Sequence, residues 1–147
     1  MSDRPLPPAL QERIDFFSHL DRGDRIEALI SIADRFRAAP PSVAPRPYDE
    51  AHRVPACESE AFVWAVEQPD GTLDFHFVVE NPQGVSAKAM AVILGETVSG
   101  APLDEVANLS DDVVYGFFGN ELSMGKTMGL TSMVGMVRGE AKKRHTP

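Results

Sequence analysis

Cysteine is almost absent: one residue in 147, Cys57. A lone cysteine excludes an internal disulfide. The four histidines, His19, His52, His76 and His145, are scattered and give no ligand spacing for zinc or an iron–sulfur cluster. No metal or cofactor of its own is therefore expected. Also missing is any uncharged apolar run long enough to span a membrane. The stretch Met1-Ser2-Asp3-Arg4-Pro5 lacks the apolar core of a secretory signal. A reducing cytoplasm is the expected location. Positive charge is scarce too, with 14 Lys and Arg against 22 Asp and Glu, a net charge of −8. Such a balance disfavours a phosphate backbone, so no nucleic-acid role is expected. The basic tail Lys142-Lys143-Arg144-His145 reads as a solvated helix end, where cations complement the helix dipole.

What is present is ordinary for a globular chain, 43% hydrophobic and 24% charged. That length favours one domain over residues 1–147, able to bury a core without staples. Residues 1–5 and 144–147 are expected to be loose.

Leu6, Leu10, Ile14, Phe17 and Leu20 make one helical stripe, and Pro7 and Pro8 suit its first turn. Asp21-Arg22-Gly23-Asp24 breaks it, with Asp24 a candidate cap for a second helix carrying Ile26, Leu29, Ile30, Ala33 and Phe36. The two should pack as an antiparallel hairpin. Pro40, Pro41, Pro45 and Pro47 then forbid a helix and predict an extended strap. Residues Tyr48 to Val54 could form a short first strand. Ser59 to Glu67 and Leu73 to Val79 read as strands joined by the turn Pro69-Asp70-Gly71-Thr72. An apolar helix starts at Val85, short helices follow at 103–109 and 111–118, the latter capped by Ser110, and a long one covers about Ser123 to Lys143. Leu130, Met133, Val134, Val137 and Ala141 share one face of that last helix. Its glycines, Gly125, Gly129, Gly135 and Gly139, are poor helix formers and make sense where another backbone approaches closely. The fold class is thus α+β, a small three-stranded antiparallel sheet packed with helices.

Three features could carry chemistry. Cys57 sits at the junction of irregular chain and strand, just after Pro55. Arg53 and His52 could bias it toward thiolate, while Glu58 and Glu60 oppose that. An ordinary thiol is only a few per cent ionised at neutral pH. Such a thiol suits an already activated sulfur better than a stable substrate, although a small buried hydrophobe is the commoner fate of a free cysteine. Gly125-Lys126-Thr127 imitates the end of a phosphate-binding loop, but the required earlier glycine falls at Gly119, one residue off. Met124 and Met128 lie one turn apart and suit either a core or an adaptable partner face.

The blocks Val54-Pro55-Ala56-Cys57-Glu58-Ser59, Val85-Ser86-Ala87-Lys88-Ala89-Met90-Ala91-Val92 and Leu122-Ser123-Met124-Gly125-Lys126-Thr127-Met128-Gly129-Leu130-Thr131-Ser132-Met133 together resemble the SufE family. Their order and spacing match the family's cysteine loop, its helix after the sheet and its Leu-Ser-Pro-x-Arg-x-x-Gly-Leu signature, over roughly Leu10 to Ala141. The resemblance implies the fold shared with iron–sulfur scaffold proteins of the IscU type. It also implies a sulfur carrier rather than a stand-alone enzyme. Cys57 would take persulfide sulfur from a cysteine desulfurase of the SufS type, stimulate that enzyme and deliver the sulfur to the iron–sulfur scaffold complex. Pyridoxal phosphate would belong to the partner. Arg53, Val54, Pro55, Ala56, Glu58 and Lys126 become the partner-contact candidates. Four departures stand out: Ala56 for Gly or Glu, Glu58 for Gln, Lys126 for Arg and Met124 for Pro. Glu58 adds negative charge beside the thiol. The alternatives are a partner that docks on a desulfurase without carrying sulfur, and an independent thiol enzyme.

Overall fold

The computed structural model describes residues 4–145. Two prolines open helix α1 (Pro8–Ser18), where the missing backbone donor costs nothing. Helix α2 (Arg22–Ala33) is capped by Asp21, whose side chain accepts the Asp24 N–H at 2.8 Å, so Asp24 lies inside the first turn rather than at the cap. The two helices do not form the expected self-contained hairpin. Each instead makes its main contacts with later elements, α1 with α5 (Asp112–Phe118) and α2 with α3 (Val85–Thr97). Phe17 of α1 meets Phe117 of α5 edge-on at 5.0 Å between ring centres, which anchors α1 there.

Strands β1 (Ala61–Glu67) and β2 (Leu73–Val79) pair antiparallel, with Ala61 opposite Val79 and Glu67 opposite Leu73. Asp70 closes their turn by accepting both the hydroxyl and the backbone N–H of Thr72, which holds its carboxyl below the usual range. Among the described residues the sheet has two strands, not three. The segment expected to supply the third is a single 3-10 turn, Glu50–His52, started by Asp49 accepting the Ala51 N–H. Bracketed by Pro47 and Pro55, it has room for only one ladder contact, Arg53 opposite Phe62.

Both faces of this hairpin are covered. One lies on the main core, where Val63, Phe75 and Phe77 meet α3 and the long helix α6 (Met124–Arg144). The other carries Phe62, Trp64 and Val78, shielded by the proline strap through Val43, Ala44 and Tyr48. The strap is tied on by the Ala39 N–H donating to the Phe77 carbonyl at 2.8 Å. Helix α3 lies across the inner face and is largely buried, as its composition predicts. After it come the four-residue helix α4 (Leu103–Val106) and α5, which Ser110 does not cap through its side chain: Asp111 holds the cap position. The buried face of α6 is Gly129, Leu130, Met133, Val134, Val137 and Ala141.

Of the ends expected to be loose, residues 1–3 and 146–147 lie outside the described residues. The remainder is tied down. The Pro5 carbonyl accepts from Asn108 at 2.7 Å, and Arg144 pairs with Glu67 and Glu140.

Glu96, at the end of α3, gathers Arg13 from α1 and Arg35 from beyond α2, each at 2.9 Å. The hydrogen bond from Arg35 is the main influence holding its carboxyl below the usual range; Arg13 adds to it and burial opposes it. A depressed carboxyl stabilises the fold above its ordinary range and loses that contribution as pH falls through its folded value. Because these groups are partly solvent-exposed, Glu96→Gln should cost only about 1 kcal/mol at pH 7. Denaturant unfolding should show that gap closing as pH falls below the ordinary carboxylate range and through the lowered folded value. A constant gap across that range would point to lost packing rather than charge.

Candidate functional site

The loop from Val54 to Glu60 leaves the sheet and returns to it within a few residues. Its base is closed by the Val54 N–H donating to the Ala61 carbonyl at 2.8 Å. Further on, Glu80 and Asn81 N–H groups donate to the Glu60 and Ser59 carbonyls, each at 3.1 Å, and stitch the returning arm to the end of β2. Between these anchors the backbone is forced. Ala56 and Glu60 both adopt the left-handed conformation, at φ 58° and 52°. For a residue with a Cβ this costs about 1–2 kcal/mol each. The anchors hold that strain in place, and the tip so formed carries Cys57.

Cys57 is half-buried and packs against the main core. Its seat is α6. A Cβ placed on Gly129 would stand 3.0 Å from Cys57 Cα and 3.2 Å from the Ala56 carbonyl oxygen. The loop therefore rests on helix backbone, a close approach that only glycine permits. The backbone contact expected from the glycines of α6 is thus found at Gly129. Gly125, one turn earlier, faces the Glu58 carboxylate, whereas Gly135 meets only the Arg138 side chain and Gly139 meets nothing.

Cys57 lines a cavity of about 320 Å³ between this loop, the turn after β2 and the first turns of α3 and α6. Cys57, Glu58 and Ser59 form one wall, Asn81 and Gln83 the second, Ser86 and Ala87 the third, and Gly125, Lys126 and Gly129 the floor. Of the partner-contact candidates, Glu58 and Lys126 thus share the cavity with the thiol. Pro55 and Ala56 are exposed on the loop, and Val54 is buried beneath it, with no side chain available for contact while the loop is seated. Arg53 points elsewhere, pairing with Glu50 and lying over the Phe62 ring at 4.7 Å. His52 is likewise committed to the outer face of the sheet. It stacks on Trp64 at 4.9 Å, with Nδ1 2.8 Å from the Val63 carbonyl oxygen. Neither residue supplies the base that a self-sufficient thiol enzyme would need beside Cys57. Among the described residues no cluster of three or more potential metal ligands is gathered, and no helix is long and apolar enough to cross a membrane.

Two further hollows mark the surface, of about 250 Å³ and 430 Å³, and the first shares Val85 and Ser86 with the cavity. The first is lined by Ile26, Ile30 and Val85, the second by Tyr115, Met124 and Met128. Among the described residues, these six and Phe16 are the large hydrophobic side chains left exposed. Such a concentration marks a contact surface more than random leftover area. Met124, 80% exposed, and Met128, 51% exposed, belong to it, while Met133 is fully buried. Sequence periodicity placed Ile26 and Ile30 with the core; nothing in their spacing separates them from Leu29, which is buried.

Comparison with known proteins bears on this arrangement. Residues 11–141 match the family model SufE, described as an Fe-S metabolism associated domain. A solution structure of a hypothetical protein from Thermus thermophilus has a TM-score of 0.75 at 23% identity, covering 95% of this chain and 97% of that one. This likeness concerns the fold. No match was found among curated proteins.

Proposed function

The chain belongs to the SufE family, and from that premise we propose that it is a sulfur carrier in iron–sulfur metabolism, taking persulfide sulfur from a cysteine desulfurase onto Cys57. The observation that carries this reading is the setting of the thiol. Cys57 is at the tip of a strained loop and lines a cavity, and a second hollow with exposed Ile26, Ile30 and Val85 adjoins that cavity. A small-molecule enzyme would bury its reactive group in a closed pocket. A carrier must offer it to another protein's reactive group.

The transfer balances without an outside oxidant. The Cys57 thiol releases its proton to solvent. The thiolate attacks the terminal sulfur of the partner's cysteine persulfide, forming a new S–S bond. The old S–S bond breaks and the partner's cysteine leaves as thiolate, which is reprotonated. Cys57 then holds one extra sulfur for delivery to the scaffold on which clusters are built. The apolar surface gives the desulfurase a place to dock, and docking would be the step that stimulates it. All of this is chemistry of the cytoplasm, where free thiols persist.

A second reading keeps the docking and drops the carriage. The half-burial of Cys57 favours it, since a packed thiol can be structural. Intact mass decides between them. The protein is incubated with an active desulfurase and free cysteine, without reductant. A species heavier by one or more sulfur atoms, mapped to Cys57, is the expected result. Tight binding with no added sulfur would leave docking alone.

A further inference from the structure

The Cys57 loop has a second seat besides Gly129. The turn after β2, residues 81–84, is closed on itself. Asn81 accepts the Gln83 N–H on its side chain at 2.9 Å and the Gly84 N–H on its carbonyl at 3.0 Å. Lys88 ties this turn to α3, its N–H donating to the Gly84 carbonyl at 2.9 Å and its ammonium to the Pro82 carbonyl at 3.2 Å. Gly84 is buried against the returning arm of the loop. A Cβ there would stand 2.8 Å from Ser59 Oγ, 3.0 Å from Ser59 Cβ and 3.1 Å from Val79 Cγ1. The hydroxyl can rotate away, but Ser59 Cβ moves only with its backbone, and valine is stiff at χ1. The Gly84 backbone itself does not demand glycine. At φ −79° and ψ 59°, with the Val85 N–H donating to the Gln83 carbonyl, it is an inverse γ-turn, a conformation open to other residues. What excludes a side chain is Ser59. That residue stands two past Cys57, and its carbonyl is held by the Asn81 N–H at 3.1 Å. The Glu60 N–H donates to the Cys57 carbonyl at 3.3 Å, so a displaced Ser59 carries the tip with it.

We propose that Gly84 is a positioning residue for sulfur transfer, acting through Ser59 to set where Cys57 stands against a docked desulfurase. Gly129 holds the outgoing side of the loop on α6, and Gly84 holds its returning side against the start of α3. Gly84 never touches the reacting sulfur. Transfer between two proteins requires the attacking sulfur in line with the partner's S–S bond, and a misplacement of about 1 Å can cost about a hundredfold in rate. A small persulfide in solution sets its own approach and makes no such demand. This role rests on the carrier reading.

The test compares two sulfur donors in the full chain, with intact mass as the readout. One is a desulfurase with free cysteine, at saturating concentration. The other is glutathione persulfide, which gives its terminal sulfur to the Cys57 thiolate and leaves as glutathione thiolate. Gly84→Ala should slow loading from the desulfurase at least about tenfold. Its affinity for the desulfurase and its loading from glutathione persulfide should be unchanged. In a Ser59→Gly background, which removes both Ser59 atoms, the same substitution should slow desulfurase loading by less than about threefold. Equal loading from the desulfurase with and without the substitution overturns the proposal. So does an equal loss with both donors, which would mean general disruption, or a loss of affinity, which would mean altered docking. A full effect in the Ser59→Gly background overturns it too, because Gly84 would then act through something other than Ser59. If the unsubstituted protein takes no sulfur from the desulfurase, the carrier reading fails and this role with it. If it loads normally and Gly84→Ala loads equally well, the carrier reading stands and only the role of Gly84 falls.

Discussion

Cys57→Ser is expected to abolish sulfur loading completely while leaving the protein folded. A serine hydroxyl does not ionise in the range where a thiol does, and it forms no stable bond to sulfane sulfur. No weaker substitute is available, because the chain has no second cysteine. The cost to stability should be small. Cys57 is only half-buried and its loop is held by backbone hydrogen bonds on either side, none of which uses the thiol. Placing a hydroxyl against the core edge should cost about 1 kcal/mol. Intact mass after incubation with the desulfurase reads the first effect, and the urea midpoint reads the second. If the serine variant still stimulated sulfide release fully, Cys57 would not be the carrier. An unfolded variant would show instead that the thiol is a structural group.

The second large effect is expected at Gly129. In Gly129→Ala the new methyl group would meet Cys57 Cα at 3.0 Å, the Ala56 carbonyl at 3.2 Å and Cys57 Cβ at 3.4 Å. Two of these are backbone atoms, so no flexible side chain can swing aside. Either the helix or the loop must move. Helix α6 is 21 residues long with a buried face through its middle, and alanine favours it over glycine by about 1 kcal/mol. The loop is short and already strained at Ala56 and Glu60. The loop should therefore yield and lift Cys57 off its seat. Overpacking of this kind costs about 1–3 kcal/mol, so the net loss of stability should stay below about 2 kcal/mol. Alkylation of Cys57 should rise at least about tenfold, equivalent to about 1.4 kcal/mol of loop preference. This rise should persist at high pH, where an ordinary thiol is fully ionised, because it reports access and not charge. Unchanged alkylation with a loss above about 3 kcal/mol would mean that the helix has shifted instead.

Much of this architecture was legible because local patterns and burial agree. The buried face of α6 is the one its spacing predicts, with Gly129 added. The hairpin turn carries its own chemistry in Asp70, Gly71 and Thr72, which no tertiary contact needs to supply. The third strand failed for a related reason. Tyr48 to Val54 has strand-favouring residues only at its two ends, and Asp49 captures a backbone donor locally and commits the segment to a 3-10 turn. The antiparallel helix pair failed because amphipathic stripes state that a face is buried and not what buries it. Here α5 and α3 took the partner's place.

At the site the division is sharper. Cys57 and its flanking prolines and acids stand next to one another in the chain, so the loop could be recognised from sequence. His52 and Arg53 are just as near in sequence, but the 3-10 turn and the bridge to Phe62 aim them at the opposite face of the sheet. Lys126 is far away in sequence and shares the cavity.

Most of the elements, the single thiol and the family could be read along the chain, since each is written in local spacing and in short blocks of residues. What surrounds that thiol came from folding alone: its seat on Gly129, the arrival of Lys126 in its cavity, and the exposure of Ile26, Ile30 and Val85 in the hollow next to it. The physical reason is that exposure and electrostatic field depend on which elements meet in space, and residues distant along the chain make those meetings.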